Sequence, residues 1–499
     1  MKKILSILLG VILIGLSACD DELYQAPIDN QNADSFYQNE EQFEQAINGM
    51  YNSLLTFSTH QFFLSEIRSD NVFAPGTGVR LWNPINNFAN TLETNDYIED
   101  CWNDYFRGIY LANSILDKIS ESIISDNTTY NRMVGEARFV RGFLYFQLIK
   151  TFGKVPLMDH VINPSEALVL DRADIADVYE LVVSDLQFAA SNLADSYSVP
   201  GKVTSWAAKA MLAKVYLTQS GPDYGIDGPG LGLNKYSDAL SLLNDIINNG
   251  PYSWVNDYAS IFAYNNENNP DIIFDLQAID TGSTSESGVG TILPTLMYLE
   301  SWARLNLSFA GGVPNDGSGC DPSADLLASF EDGDLRDDFS ILMSYVDENN
   351  NPVDNPQFVK FLDVNYAPAT RFNWPVNFPI IRYTDVLMMK AEALIQTSGS
   401  QTDIDGIVNQ VRSRAGLGEI SNVNLDMLLA ERRKEFMAEG LRWDDLVRTG
   451  KVIDVMNAWI AQEDDGDNVS PVIANYIIYP IPYSQMEVKQ DLYEQNPGY

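Results

Sequence analysis

The chain has little histidine, cysteine or positive charge. Only His60 and His160 are present, so HExxH protease sites and three-histidine zinc sites are excluded by counting. No G-x-S-x-G elbow, Walker A loop or G-x-G-x-x-G fingerprint occurs in the 499 residues. Lys and Arg together number 31 against 69 Asp and Glu, a net charge of −38, which argues against nucleic acid and anionic polysaccharides as partners. The stretch "DYGIDG" (223–228) sets Asp223, Asp227 and Gly228 at EF-hand positions, but Gly225 and Asn234 stand where two further ligands belong, and no metal or cofactor is expected. Of three cysteines, Cys101 and Cys320 either pair in an oxidising compartment or stand as separate buried thiols.

The third cysteine is placed differently. Lys2 and Lys3 precede the apolar run Ile4 to Leu16, which falls short of the roughly 20 residues a bilayer span needs but suits a secretory leader. "LSAC" (16–19) resembles a bacterial lipobox, cut before Cys19, which is then acylated; an ordinary signal peptide with a chance cysteine is the alternative. One acyl chain holds a membrane only marginally, so stable anchoring needs several. Loss of the leader removes two lysines and takes the net charge to −40.

With 45% apolar residues the chain is globular, and much of it reads as helix. Helical spacing covers 40–57, 98–122, 130–152, 174–193, 204–219, 235–249, 383–397, 403–415 and 425–448. "SWAAKAMLAKVYL" (205–217) and "YSDALSLLNDII" (236–247) alternate small and large apolar residues like a tetratricopeptide hairpin, predicting a mainly α, irregular helical-repeat superhelix. Between 251 and 380 loops take over, as in "TGSTSESGVG" (281–290) and "VDENNNPVDNP" (346–356), and this stretch holds Trp254, Trp302 and Trp374. Binding is commonly carried by such loops on a rigid scaffold. The expected divisions are a leader at 1–18, a helical region at 19–250, a loop-rich ligand-binding region at 251–380 and C-terminal helices at 381–499.

Paired carboxylates could in principle hydrolyse a glycosidic bond. "ERRKEFMAEGLRWDDLVRTG" (431–450) spaces Glu431, Glu435 and Glu439 four residues apart. On one continuous helix Leu429, Phe436, Trp443 and Val447 would share an apolar face, flanked by the glutamates and by Arg432 and Arg442. Interleaved arginines then neutralise the stripe, which favours a half-buried ion-pair network over an acid/base site. Arg138 and Arg141, in the nearly all-apolar 135–157, offer further partners for it.

"EARFVRGFLYFQLIKTFGKVPL", "IRYTDVLMMKAEAL" (381–394), "VNQVRSRAGL" (408–417), the 431–450 segment, "YPIP" (479–482) and "QNPGY" (495–499) together resemble the SusD/RagB family of Bacteroidetes outer-membrane nutrient-uptake lipoproteins. Asp20, Asp21 and Glu22 look like the acidic export signal of its surface lipoproteins. The resemblance implies a lipid-anchored protein facing the cell exterior, which captures oligosaccharide as a lid on a TonB-dependent, SusC-like barrel and is not an enzyme. Peptide capture is the runner-up and glycoside hydrolysis a more distant alternative.

The family motifs name no ligand residues. A neutral sugar site needs flat aromatic faces and a few Asn, Asp or Arg groups for hydroxyls. Three loops qualify: "SDNVFAPGTGVRLWN" (69–83) with Asp70, Asn71, Arg80, Trp82 and Asn83; "YLESWARLN" (298–306) with Tyr298, Trp302 and Arg304; and "RFNWP" with Trp374. Each aromatic could instead fill the core beneath its loop.

Overall fold

The computed structural model describes residues 36–74, 80–280, 282, 290–298, 300–307, 320–347, 349–366 and 368–499. The leader and Cys19 lie outside them.

The fold is mainly helical. Helix α1 (Glu40–Asn52) packs against α2 (Asp96–Lys118) and α3 (Asn127–Phe152); α4 (Ile175–Asn192), α5 (Ser205–Ser220) and α6 (Tyr236–Asn249) follow, each lying on the one before. The array then leaves helix for strand β1 (Ile272–Leu276), which pairs antiparallel with β2 (Phe378–Arg382). Helices α7 (Tyr383–Gln396), α8 (Gln401–Arg414), α9 (Leu425–Glu435), α10 (Arg442–Arg448) and α11 (Val452–Glu463) complete the chain, with α7 packed on both α6 and α8.

Helix α3 explains the array. Its apolar residues point all round, and Phe139, Phe143, Phe146 and Leu148 are each fully buried. Gly142 lets α4 come close: a methyl there would sit 3.2 Å from the Asp185 Cβ. Arg141 uses that approach, donating from Nε and Nη2 to Asp185 at 2.7 and 2.9 Å, and from Nη1 to Asn113 of α2 at 2.8 Å. A buried guanidinium on α3 satisfied by side chains of α2 and α4 fixes the register of all three. Arg138 lies over Phe188, 3.9 Å from Asp185. These two arginines therefore serve α4, not the glutamates of 431–439 as the sequence suggested.

The expected helix over 425–448 is two helices. Between α9 and α10 the backbone turns through left-handed φ values at Ala438 (63°) and Gly440 (70°), and Glu66 accepts their N–H groups at 2.8 and 2.9 Å. A buried acceptor thus outweighs helix continuation. The region 251–380, expected to be loop-rich, holds β1 and a hairpin at 345–346 and 352–353, and residues 380 and 381 both lie in β2. One hydrophobic core runs from Phe43 to Ile481, with smaller clusters under α7–α9 and under α10–α11. Cys101 and Cys320 are separate buried thiols.

Candidate functional site

Glu431, Glu435 and Glu439 are all buried and all neutralised, though not by the arginines interleaved among them. Glu431 meets Arg336 at 2.6 Å and Arg412 at 3.1 Å; Glu435 meets Arg414 at 2.6 Å and Arg382 at 3.1 Å; Glu439 meets Lys360 at 2.7 Å. Arg432 turns to Asp385 and Asp445, and Arg442 to Asp70. Burial alone would raise the Glu435 carboxyl, but Arg414, Arg382, Arg336 and Lys360 hold it at about 2. A carboxylate held ionised by four cations is a poor proton donor, and these side chains are scaffold.

Asp70 and Asn71 belong to the same scaffold. Arg442 donates to both Asp70 carboxylate oxygens at 2.8 Å. Burial is again opposed, here by Arg433 and Arg442, and the Asp70 carboxyl is held at about 2. Asn71 donates to Glu66 and accepts from Arg433, each at 2.8 Å. Their expected place in a ligand site is thereby corrected, because neither reaches solvent. Asn83 is a loop staple: its Nδ2 donates to the Ala74 carbonyl at 2.7 Å, while Asn86 accepts from the Ala74 N–H at 2.9 Å.

The same loop delivers Arg80 and Trp82 to a row of rings. The Phe63 ring lies 3.7 Å from that of Tyr97 and 6.0 Å from that of Trp82, with interplanar angles of 16° and 15°. Phe63 sits in Phe62–Glu66, a π-type turn, a wide winding frequent at functional sites. Asn95 sets Tyr97 in place, accepting the Tyr97 N–H at 3.1 Å as the cap of α2 and donating to the Leu81 carbonyl at 2.7 Å. Arg80 lies 5.3 Å from the Trp82 ring centre. Trp82 is only 8% exposed, so the expected open aromatic face is corrected to a backing ring; the water-facing members are Arg80, Leu81 and Tyr97. Among the described residues the buried Trp82 Nε1–H has no hydrogen-bond partner, which costs stability. Burial, then the neighbouring Cys320, pushes the Tyr97 hydroxyl up to about 12, so it remains protonated and able to donate.

The second aromatic cluster hangs on Thr295. Its Oγ1 accepts from Trp374 Nε1 at 2.9 Å, donates to the Arg371 carbonyl at 2.7 Å and accepts from the Tyr298 hydroxyl at 3.3 Å. Tyr298 and Trp302 have ring centres 6.2 Å apart. Trp374 is fully buried, and Tyr298 and Trp302 nearly so, which corrects their expected role as open ligand faces: the rings fill the space beneath the 291–307 segment. The Arg304 side chain lies outside the described residues. Ser58 and Thr291 hydroxyls, 3.3 Å apart, tie this cluster to the helix leading into Phe63. Ser58 and Phe63 lie in consecutive turns, Phe57–Gln61 and Phe62–Glu66, so this contact joins the segment that carries Phe63 to the Thr295 cluster.

Phe63 and Tyr97 escaped the sequence reading. The signal for Tyr97 was present, since Asn95 before Asp96 reads as a helix cap and puts the next aromatic on the first turn. Phe63 gave none, for a π-type turn has no simple sequence period. Among the described residues no group of three or more His, Cys, Asp or Glu side chains is arranged to hold a metal.

Two family models match the chain: one described as starch-binding and associating with the outer membrane, over residues 26–217, and one described as the SusD family, over residues 322–499. A SusD-like protein of Bacteroides ovatus is 27% identical over 90% of this chain and 82% of its own. A laminarin-binding SusD-like protein of known structure superposes with a TM-score of 0.76 at 25% identity, covering 93% of this chain and all of that one. The surface glycan-binding protein A of Bacteroides thetaiotaomicron, solved with laminarihexaose, matches in fold with a TM-score of 0.76 at 21% identity over 92% of this chain and all of its own. With residues 26–217 and 322–499 matched by two models of the family and the fold shared over more than nine-tenths of the chain, the chain belongs to the SusD/RagB family.

Proposed function

We propose that this chain is a glycan-binding lipoprotein of the outer cell surface, which captures neutral oligosaccharides for a SusC-like, TonB-dependent transporter and carries out no chemistry on them. The observation that carries the reading is the parallel row Trp82, Phe63 and Tyr97 with Arg80 at its edge. A sugar ring offers C–H groups to an aromatic face and hydroxyls to a guanidinium and a phenol. The net charge of −38 favours a neutral ligand over an anionic one. Relationship to a laminarin-binding protein supports glycan over peptide.

Two further features support the rest. The lipobox at Cys19 supports anchoring, and the match to a family model described as associating with the outer membrane supports the location. Against hydrolysis, each glutamate of 431–439 has its carboxylate bound to a buried cation.

Native gels cast with a panel of neutral polysaccharides test the proposal. At least one should retard the protein, with no release of reducing ends. Steady release by the pure protein would establish an enzyme, and retention by peptide resins alone would establish a peptide carrier.

A further inference from the structure

A groove of about 520 Å³ opens in the 257–364 region, lined by Phe262, Tyr264, Phe339, Asp257 and Asp363 among others. It shares no lining residue with the row of Trp82, Phe63 and Tyr97. The size lies within the range of small-ligand sites. Phe262 and Phe339 form its aromatic wall, ring centres 6.0 Å apart and 27° from parallel, and Phe339 and Tyr264 are both partly open to water.

Charge narrows the ligand. The one cation of the lining, Lys360, is spent inward, its Nζ donating to the carbonyls of Glu435 and Met437 and to Glu439 at 3.0, 3.1 and 2.7 Å. The open charges are therefore Asp257 and Asp363. Their Oδ1 atoms accept local backbone N–H groups, from Ala259 at 3.2 Å and from Asn365 at 2.9 Å; among the described residues neither Oδ2 carries a hydrogen bond. Two carboxylates with a free oxygen each repel an anion, and they are wasted on a purely apolar guest. A neutral polyol uses both halves of the lining, its C–H face on the rings and adjacent hydroxyls on the carboxylates.

We infer that this groove is a second sugar-contacting site, engaging a more distant part of the glycan chain held at the Arg80–Tyr97 site; this rests on the glycan-binding reading above. Tyr264 links the groove to the Thr295 cluster. Its ring centre is 5.7 Å from that of Tyr366, which is 6.5 Å from that of Trp374 in the Thr295 cluster.

The test uses gels cast with the same neutral polysaccharides and three proteins: wild type, Phe339→Ala and Ala263→Arg. Phe339→Ala removes part of the wall; Ala263→Arg fills the groove from its partly exposed rim and takes nothing from the core, so it serves even if the first variant melts early. Roughly tenfold weaker retardation of a folded variant, the loss of about one good contact, is the expected result. Wild-type retardation kept unchanged in both variants would overturn the groove while leaving glycan capture intact. No retardation of wild type by any polysaccharide would overturn both, as would salt-sensitive retention of basic peptides alone.

Discussion

Glu439 grips Arg382 at both carboxylate oxygens, Oε2 accepting from Nε and Oε1 from Nη2, each at 2.8 Å, across 57 residues of sequence. The contact exists because the left-handed turn at Ala438 and Gly440 swings Glu439 off the α9 axis. Glu439→Ala would leave Arg382 and Lys360 short of charge in a dry interior. Removing one member of a buried pair costs on the order of 3 to 5 kcal/mol. The expected result is a much lower thermal midpoint with glycan affinity kept in the folded fraction; full stability with lost binding would place Glu439 in the ligand site.

Stability should peak in mildly acidic solution. Asp70 and Glu435, held at about 2 against ordinary values of 3.8 and 4.5, contribute stability present above the ordinary values and lost as pH falls toward 2, on the order of 2 to 3 kcal/mol each. Glu267 runs the other way: burial, then the nearby Asp275, raises its carboxyl to about 7. Its contribution is fully present below about 4.5 and lost as pH rises through 7. Glu267→Gln keeps an acceptor for the Asn377 N–H and should stabilise the protein at pH 8 by roughly 1 kcal/mol, after discounting for partial exposure, with no gain at pH 4. Urea midpoints across pH decide this, and a Gln variant gaining equally at both ends would sink it.

Tyr97 and Trp82 should separate binding from folding. Tyr97→Ala removes a half-open ring, so glycan affinity should fall about tenfold or more with a small change in melting. Trp82→Ala empties a buried position and should cost roughly 3 to 5 kcal/mol of stability. Calorimetric titration beside a melting curve distinguishes them; normal affinity in folded Tyr97→Ala would remove the ring row from the site.

Anchoring rests on Cys19. The Cys19→Ala protein should lose acylation and no longer fractionate with outer membrane. A variant that still resists washing from cells would show that something else holds it.

The long helices were legible from their length and apolar content, with α2, α3, α5 and α8 also marked by side-chain N-caps at Asn95, Asp126, Thr204 and Ser400. The break after Glu435 was not, since its cause is Glu66, 372 residues away from Ala438. The true partners of the glutamate stripe were hidden too, because Arg412 lies 19 residues from Glu431 and Arg382 lies 53 from Glu435, beyond the reach of any helical period. For the site, Gly and Pro beside Trp82 suggested a loop there, while Trp302, also read as loop-borne, lies in the helix Glu300–Asn306, and side-chain exposure depends on which rings lie beneath. Phe63 backs Trp82, and Thr295 ties Trp374 and Tyr298 inward.

The pairs Glu66 with the Ala438 turn, Asp70 with Arg442 and Asn71 with Arg433 join the beginning of the described chain to its end. A polypeptide made from its N-terminus therefore produces buried acids hundreds of residues before the groups that neutralise them. Such long-range closure slows folding and leaves the early helices unable to settle alone. A product halted near residue 430 would keep the Asn71 contact of Glu66 but lack the Ala438 and Gly440 N–H groups, and Asp70 would lack both Arg433 and Arg442.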